Sequence, residues 1–165
     1  MKKIVALMLT CLCWSGLAAA EVKMGVVDVR AALFASNAAK SFSDKLQKEF
    51  KDDEDKIRAV GTEAQKLQDR LNKDAAILSE SERNKLSAEF DERVQEFNYL
   101  KNRFESTVAK RKQAFIQDSK PKMDKALEEI VKSEKLQLIL PREATLYTDQ
   151  KLDYTTKLID ILNRQ

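Results

Sequence analysis

The sequence contains no histidine, and its 165 residues include only three glycines, two prolines and two cysteines. Without histidine it lacks the side chain that most often serves as an acid or base near neutral pH and as a metal ligand. Three glycines leave little material for loops that bind phosphate groups. These absences argue against an enzyme and predict neither a cofactor nor a metal site, so an enzyme using carboxylates, lysines or hydroxyl groups is only a third hypothesis.

The chain also lacks a large excess of positive or of negative charge. The chain has 30 Lys and Arg against 27 Asp and Glu, which gives a net charge of +3. No large field of one sign follows from this balance, and a nucleic acid is therefore not expected as a partner. Charged residues make up 35% of the chain while glycine and proline are scarce, and this combination predicts long, solvated helices within a single domain.

The first twenty residues have the form of a secretory signal peptide. Lys2 and Lys3 precede an uncharged stretch that ends at Ala18 and Ala20. A positive start, an apolar centre and small residues before the cleavage site are the three parts of such a signal, so we predict a signal peptide at 1–20 with cleavage after Ala20. An uncleaved membrane anchor and a lipoprotein modified at Cys11 are the alternatives.

Cleavage would remove both cysteines and the single tryptophan. The mature chain would then lack both Cys and His, which excludes disulfides and zinc sites built on these residues. Loss of Lys2 and Lys3 leaves 28 bases against 27 acids, a net charge of +1. Such a chain must be held together by packing or by oligomerisation.

Three short apolar segments predict β-strands near the ends of the chain. They are VKMGVVDV at 22–29, LQLIL at 136–140 before Pro141, and ATLYT at 144–148. We interpret the last two as a candidate hairpin. Because three short strands bury little apolar surface, the sheet is expected to need partner subunits.

The long segment between these strands predicts two antiparallel helices. Apolar residues recur at steps of three and four, as in a coiled coil, at Phe42, Leu46, Phe50, Ile57, Val60, Ala64, Leu67, Leu71, Ala75 and Leu78, and then at Leu86, Phe90, Val94, Phe97, Phe104, Val108, Phe115, Met123, Leu127 and Ile130. Ser79 and Glu82 have the spacing of a capping box, which predicts that the second helix starts there. We therefore expect an arm at 36–131 with its tip near 76–80.

Several features of the arm carry further predictions. Pro121 lies within the second helical pattern, where it should kink the helix without ending it.

Two charged segments of the arm could bind a ligand or simply be solvated. The acidic run 52–55 lacks the alternating ligands and the glycine of a calcium loop, and is interpreted as a solvated face. The basic stretch from Lys110, Arg111 and Lys112 to Lys125 is either a solvated face or a contact for acidic clients or lipid headgroups.

A last amphipathic helix follows the strands. It contains Leu158, Ile159, Ile161 and Leu162, with Asp153 or Thr155 as its cap. The predicted fold is thus mainly α with a small β-sheet, in which a long coiled-coil hairpin is inserted in a β-containing body formed by 22–35 and 132–165.

This arrangement resembles the Skp/OmpH family of periplasmic chaperones. MGVVD at 24–28 is similar to the opening strand of the family, LQKEF at 46–50 to the entry into its arm, and LSE at 78–80 to its arm tip. Leu146 and Tyr147, with Asp153 and Thr155, match the closing hairpin and the start of the last helix. The resemblance covers residues 22–163.

The resemblance implies a periplasmic homotrimer whose strands form a central barrel and whose arms enclose unfolded outer-membrane β-barrel proteins. The trimerisation residues would be Met24, Val26, Val27, Val29, Leu138 and Leu140. The family is often strongly basic toward the arm tips, whereas residues 66–86 carry five bases and four acids here. Binding of lipopolysaccharide or anionic lipid at the tip is therefore not implied.

We hypothesise a chaperone that works without ATP by preventing aggregation, that is, a holdase. Candidate client contacts are the apolar residues outside the seam, Ile77, Tyr99 and Ile116, together with Lys110, Arg111 and Lys112. Each of the three apolar residues could equally serve helix packing. A structural coiled-coil spacer or adaptor of the cell envelope is the alternative function.

Overall fold

The structure is a computed structural model, and it describes residues 22–165. The predicted signal peptide and the cleavage site after Ala20 lie outside the described residues. Most of the described chain is helical. In chain order the elements are β1 (Met24–Val27), α1 (Val29–Ala35), α2 (Asn37–Lys73), α3 (Glu80–Glu134), β2 (Leu138–Pro141), 3-10 turns at Arg142–Ala144 and Gln150–Leu152, and α4 (Thr155–Arg164).

The predicted fold class, mainly α with a small β-sheet, is confirmed. Helices α2 and α3 pack against each other as an antiparallel hairpin. The rings of Phe42 and Phe115 stack with their centroids 4.4 Å apart, and Phe50 meets Phe104 edge to face at 5.6 Å. A Cβ atom added at Gly61 would lie 3.1 Å from the ring of Phe97, so the absence of a side chain lets the two helices approach closely there.

The predicted seam forms along this hairpin, with one exception at its end. Val60, Ala64 and Leu86 are buried in it. Ala75 is exposed, because α2 ends at Lys73 and Ala75 belongs to the connection to α3 rather than to the helix. The apolar repeat thus continues in the sequence for a few residues beyond the helix that it predicts.

The turn at the arm tip is fixed by the predicted capping box. The Ser79 backbone N–H donates to the Glu82 carboxylate at 2.9 Å, and the Glu82 N–H donates to the Ser79 hydroxyl at 3.3 Å. Arg83 adds a bond from its guanidinium to the carbonyl oxygen of Ala75 at 2.7 Å. The two bonds of the capping box satisfy amides at the start of α3 that would otherwise lack partners, and the bond from Arg83 joins the connection to this helix.

The sheet differs from the prediction in its third strand. Strands β1 and β2 pair in parallel, with Met24 opposite Leu138 and Val27 opposite Pro141, and the arm forms the long crossover that a parallel pair requires. The hairpin of 136–140 with 144–148 is wrong for the described chain. Residues 142–144 form a 3-10 turn that leads into an irregular loop, so the segment 144–148 does not fold back as a strand onto β2. On the other edge of β1, Val26 forms an isolated parallel bridge with Asp153.

The body core lies where the base of the arm meets α1, α4 and the sheet. Ile130 and Leu158 are fully buried, and Ile161 is nearly so. The rest of this cluster consists of Val27, Ala32, Leu33, Met123, Ala126 and Leu136. Helix α4 therefore packs against α3 and the sheet, as its apolar face predicted.

Contacts at the two ends of α4 join it to the rest of the body. The N-cap, Tyr154, makes no side-chain capping bond, but Asp153 accepts a bond from the Thr155 amide at 2.9 Å. The Thr155 hydroxyl in turn accepts one from the Asp28 amide at 2.9 Å. At the other end, the Asn163 side chain accepts a bond from the first amide of α2, at Asn37.

Helix α3 is continuous through Pro121. This confirms the prediction, based on the apolar positions Met123 and Ile130 beyond the proline, that Pro121 does not end the helix. The kink expected at Pro121 stays a prediction.

Candidate functional site

The described residues contain no group of three or more His, Cys, Asp or Glu side chains placed to hold a metal ion. Every buried side-chain nitrogen or oxygen in residues 22–165 has a hydrogen-bond partner. Among the helices described, none combines the length and the apolar character that crossing a membrane would require. The features that stand out in this chain are exposed apolar residues on the body and along the arm.

The first surface lies where the two strands of the small sheet begin. Met24 and Leu138 lie opposite each other on β1 and β2, and each is 43% exposed. Val26 and Val27 are buried inside the protomer instead, and Val29 and Leu140 are half-buried. The six residues predicted to hold subunits together are therefore of two kinds, and only Met24 and Leu138 are largely available to a partner.

Close packing around β1 explains this division. A Cβ atom at Gly25 would lie 2.8 Å from the side chains of both Leu136 and Tyr154. Because the strand is covered on both faces, its valines belong to the core whichever way they point. The apolar run in the sequence indicated a buried strand, but it could not indicate which residues are buried by the same chain.

The second surface is an exposed loop at 145–149. Leu146 is fully exposed and Tyr147 is 87% exposed. The loop leaves the 3-10 turn at Arg142–Ala144 and is held by the bond from the Thr148 hydroxyl to the Thr145 hydroxyl at 3.0 Å. The sequence identified this segment as apolar and prone to form a strand, and this is the signal that could have pointed to a contact surface.

The predicted client contacts on the arm are exposed but lie far apart. Ile77 is 82% exposed at the tip, Tyr99 is 64% exposed along α3, and Ile116 is 38% exposed near the base. At 1.5 Å per residue, Tyr99 and Ile116 are about 26 Å apart along the helix. These residues therefore do not form one site, and any partner that contacts all of them must be extended or large.

Ile116 lies beside a groove that sequence reasoning missed. The groove has a volume of about 290 Å³ at the junction of α1 and α3, and Leu33, Met123 and Leu127 line it. Phe34, on the same short helix α1, is 55% exposed. Leu33 precedes the arm in the sequence, whereas Met123 and Leu127 lie close to the end of the arm, so no local pattern in the sequence brings them together.

The basic stretch on α3 is exposed, and one of its members has a structural contact. Lys110, Arg111 and Lys112 are all exposed to solvent. The Arg111 guanidinium lies 2.6 Å from the Glu49 carboxylate and so links α3 to α2. Lys110 and Lys112 are better placed than Arg111 to contact an external anionic group.

Four described carboxylates, those of Asp55, Glu82, Glu134 and Asp153, have pKa values below their usual range, and Glu82 and Glu134 illustrate the causes at the tip and in the body. At the tip, the hydrogen bonds from the Ser79 hydroxyl and then from its backbone amide lower the pKa of Glu82. In the body, the bond from Lys157 lowers the pKa of Glu134, although burial opposes this effect. Both groups are therefore negatively charged near neutral pH.

Comparison with known proteins identifies the family. A family model described as "Outer membrane protein (OmpH-like)" matches residues 23–162. The chain belongs to the OmpH-like family. This confirms the resemblance inferred from the terminal strands, the arm and their order.

Other OmpH-like proteins match across most of the chain. A protein named "Skp-like protein" from Pseudomonas aeruginosa is 26% identical over 145 residues, which is 88% of this chain and 86% of that protein. A crystal structure of a protein described as an OmpH-like outer membrane chaperone, from Caulobacter crescentus, matches with a TM-score of 0.62 at 12% identity. That match covers 86% of this chain and 84% of the other. At this identity the structural match supports the fold alone.

Proposed function

We propose that this protein is a periplasmic holdase chaperone, which binds unfolded outer-membrane β-barrel proteins without ATP and keeps them from aggregating. The observation that carries the proposal is the match of residues 23–162 to the OmpH-like family. The architecture supports it, since a two-helix arm with a narrow seam leaves most of its surface open to a partner. Release of the predicted signal peptide after Ala20 would deliver the mature chain to the periplasm.

The working assembly is a homotrimer built through the body. In a single protomer, Met24, Leu138, Leu146 and Tyr147 leave apolar surface exposed on the sheet and the neighbouring loop. Contiguous exposed apolar surface is typical of regions that are covered in an assembly, and the paired Met24 and Leu138 provide such surface on the sheet. Strand β2 and the exposed loop at 145–149 would contact the neighbouring subunits, and Val26 and Val27 would support this contact from within the protomer.

The clients are held in the space between the three arms. Ile77, Tyr99 and Ile116 are separated along the arm, and many weak contacts of this kind gain strength when three arms act on one chain. Enclosure also keeps the strand edges of an unfolded β-barrel protein away from other chains, which suppresses aggregation. Lys110 and Lys112 would add attraction for acidic segments of a client or for lipid headgroups.

Light scattering tests this proposal directly. An unfolded β-barrel protein is diluted from denaturant in the presence of the chaperone without nucleotide. We expect aggregation to be suppressed at about one trimer per client, whereas a structural spacer of the envelope would leave scattering unchanged. As a matched control, the variant Ile77→Ser, Tyr99→Ser, Ile116→Ser should form the same trimer but require a higher concentration for the same suppression.

A further inference from the structure

One side of α3 carries no charge over several turns of the helix. Between Asp91 and Lys120, the residues that share this side are all uncharged, and all of them are exposed. We call them the uncharged face, and they are Gln95, Asn98, Tyr99, Asn102, Ser106, Ala109, Gln113, Ile116 and Gln117. In a chain with 35% charged residues, an exposed helical surface of this length is expected to contain several charges.

Packing within the chain does not explain this absence of charge. The seam with α2 uses Phe97, Phe104 and Phe115, which lie on a different side of α3. The exposed side of α2, which is equally open to solvent, carries charged residues on successive turns, namely Lys48, Lys51, Asp52, Asp55 and Arg58. The uncharged face is therefore a specific property of α3.

The side chains of the uncharged face suit an extended polypeptide. Asn and Gln each present N–H donors and a carbonyl acceptor, and an extended chain offers a donor and an acceptor of its own at almost every residue. Such contacts do not depend on the sequence of the bound segment. An uncharged segment that lies on this face also avoids the free-energy cost of removing charged groups of the arm from water.

The length of the face and the groove at its base narrow the choice of occupant. From Gln95 to Gln117 the face is about 33 Å long at 1.5 Å per residue, which equals the length of about ten residues of extended chain. A strand that spans a membrane in a β-barrel has about 9–11 residues. At its base the face continues into the groove of about 290 Å³, which Ile116 and Gln117 help to line.

We propose that the uncharged face of each arm binds one extended, uncharged strand of an unfolded β-barrel client, with an apolar side chain of the client in the groove beside Ile116. This inference rests on the proposed function, and it names the client segment and the arm surface that meet. A second copy of this chain fits the face less well, because the exposed side of α2 would bring charged groups onto it.

Photo-crosslinking tests which side of the arm meets the client. The photoreactive amino acid p-benzoylphenylalanine replaces Asn102 or Gln113 on the uncharged face, or Ser41 or Ala59 on the exposed side of α2. The probe is a full-length outer-membrane β-barrel protein, diluted from urea into a solution of the chaperone. We expect crosslinks mainly from positions 102 and 113, and mainly to the membrane strands of the client. Equal crosslinking from both helices, or crosslinks only to charged loops of the client, would overturn the inference.

Added charge provides a matched control. The double variant Asn102→Lys, Gln113→Lys places two charges on the uncharged face, and Ser41→Lys, Ala59→Lys places the same two on α2. The first variant should bind the client about tenfold more weakly, because the bound strand would desolvate a charge, whereas the second should bind as the wild type does. Asn102→Glu, Gln113→Glu should also weaken binding, which separates desolvation from attraction between charges. Circular dichroism checks that all three variants keep their helices.

The two proposals fail in different ways. A wild-type protein that retains no client contradicts the proposed function, and the inference with it. A protein that retains its client equally well with charges on either helix contradicts the inference alone.

Discussion

Met24 and Leu138 lie directly opposite each other in the parallel sheet, and each leaves 43% of its surface exposed. Their neighbours along the two strands are buried or half-buried. This pair therefore offers apolar surface of the small sheet to another chain without being needed for the protomer core. In the proposed trimer, a substitution in this pair would change the assembly separately from the folding of the protomer.

The first prediction uses this separation. Leu138→Asp should yield folded monomers, because the charge is exposed in the protomer but would be desolvated in the trimer. Val27→Asp should instead unfold the protomer at a cost of more than about 4 kcal/mol, because Val27 lies in the core. Sedimentation and circular dichroism would distinguish the two results. A trimeric Leu138→Asp variant would show that this face of the sheet is not an interface.

The second prediction concerns the packing of α4. Leu158→Ala removes a fully buried side chain, and should lower the free energy of unfolding by about 2–5 kcal/mol. Leu158→Met is the control, because it nearly conserves volume and should cost less than about 1.5 kcal/mol. Urea unfolding at one fixed protein concentration measures both variants. Similar values for the two would contradict the burial of Leu158.

The third prediction concerns the cap at the arm tip. Ser79→Ala removes the capping box and should destabilise the start of α3 by about 1 kcal/mol. Because the folded-state pKa of Glu82 is lowered, its contribution is present above the unfolded pKa and is lost as the pH falls through the folded value. Protection of the tip amides from hydrogen exchange, expressed relative to their intrinsic exchange rates at each pH, should therefore decrease in acid in the wild type. In Glu82→Gln this acid-dependent loss of protection should be reduced, and an equal loss in both would contradict this role.

The fourth prediction concerns the end of α3. Lys135 has a φ of 55°, and among the described residues it is the one non-glycine residue with a positive φ. Lys135→Gly removes the cost of placing a Cβ atom in the left-handed region and should stabilise the protein by about 0.5–1 kcal/mol. Thermal unfolding measures the gain. Lys135→Ala, which keeps the Cβ atom, should show no such gain and serves as the control.

The fifth prediction concerns the shape of the arm. Pro121→Ala restores a backbone N–H in the middle of α3 and should straighten and stiffen the arm. Small-angle scattering of the trimer should then show a narrower distribution of cavity sizes. Lys122→Ala changes the next exposed residue and should have no effect. An unchanged distribution in Pro121→Ala would contradict the predicted kink at Pro121.

The elements that sequence could predict are those whose signals are local. The seam from Phe42 to Leu71 and the capping box at Ser79 each depend on neighbours within one or two turns, and both are present in the structure. The prediction of the third strand was wrong because residues 142–144 form a 3-10 turn that leads into an irregular loop, so the apolar run at 144–148 does not pair with β2. The groove beside Ile116 could not be predicted from local patterns either, because it needs Leu33, which precedes the arm and is distant from Ile116 along the chain.

The same difference between local and long-range signals applies to the candidate contact residues. Apolar residues outside the seam of a helix are easily recognised, and Ile77, Tyr99 and Ile116 are exposed as that reasoning requires. On the body, however, Val27 and Leu138 are both apolar strand residues, and only packing shows that the first is in the core and the second at the surface.

The mass of the complex with one unfolded outer-membrane β-barrel protein tests the central claim most directly. Native mass spectrometry of the purified mature protein with such a client should show three copies of this chain bound to one client, and Leu138→Asp should abolish that species. A client bound to a single copy, or a trimer that binds no client, would contradict the account.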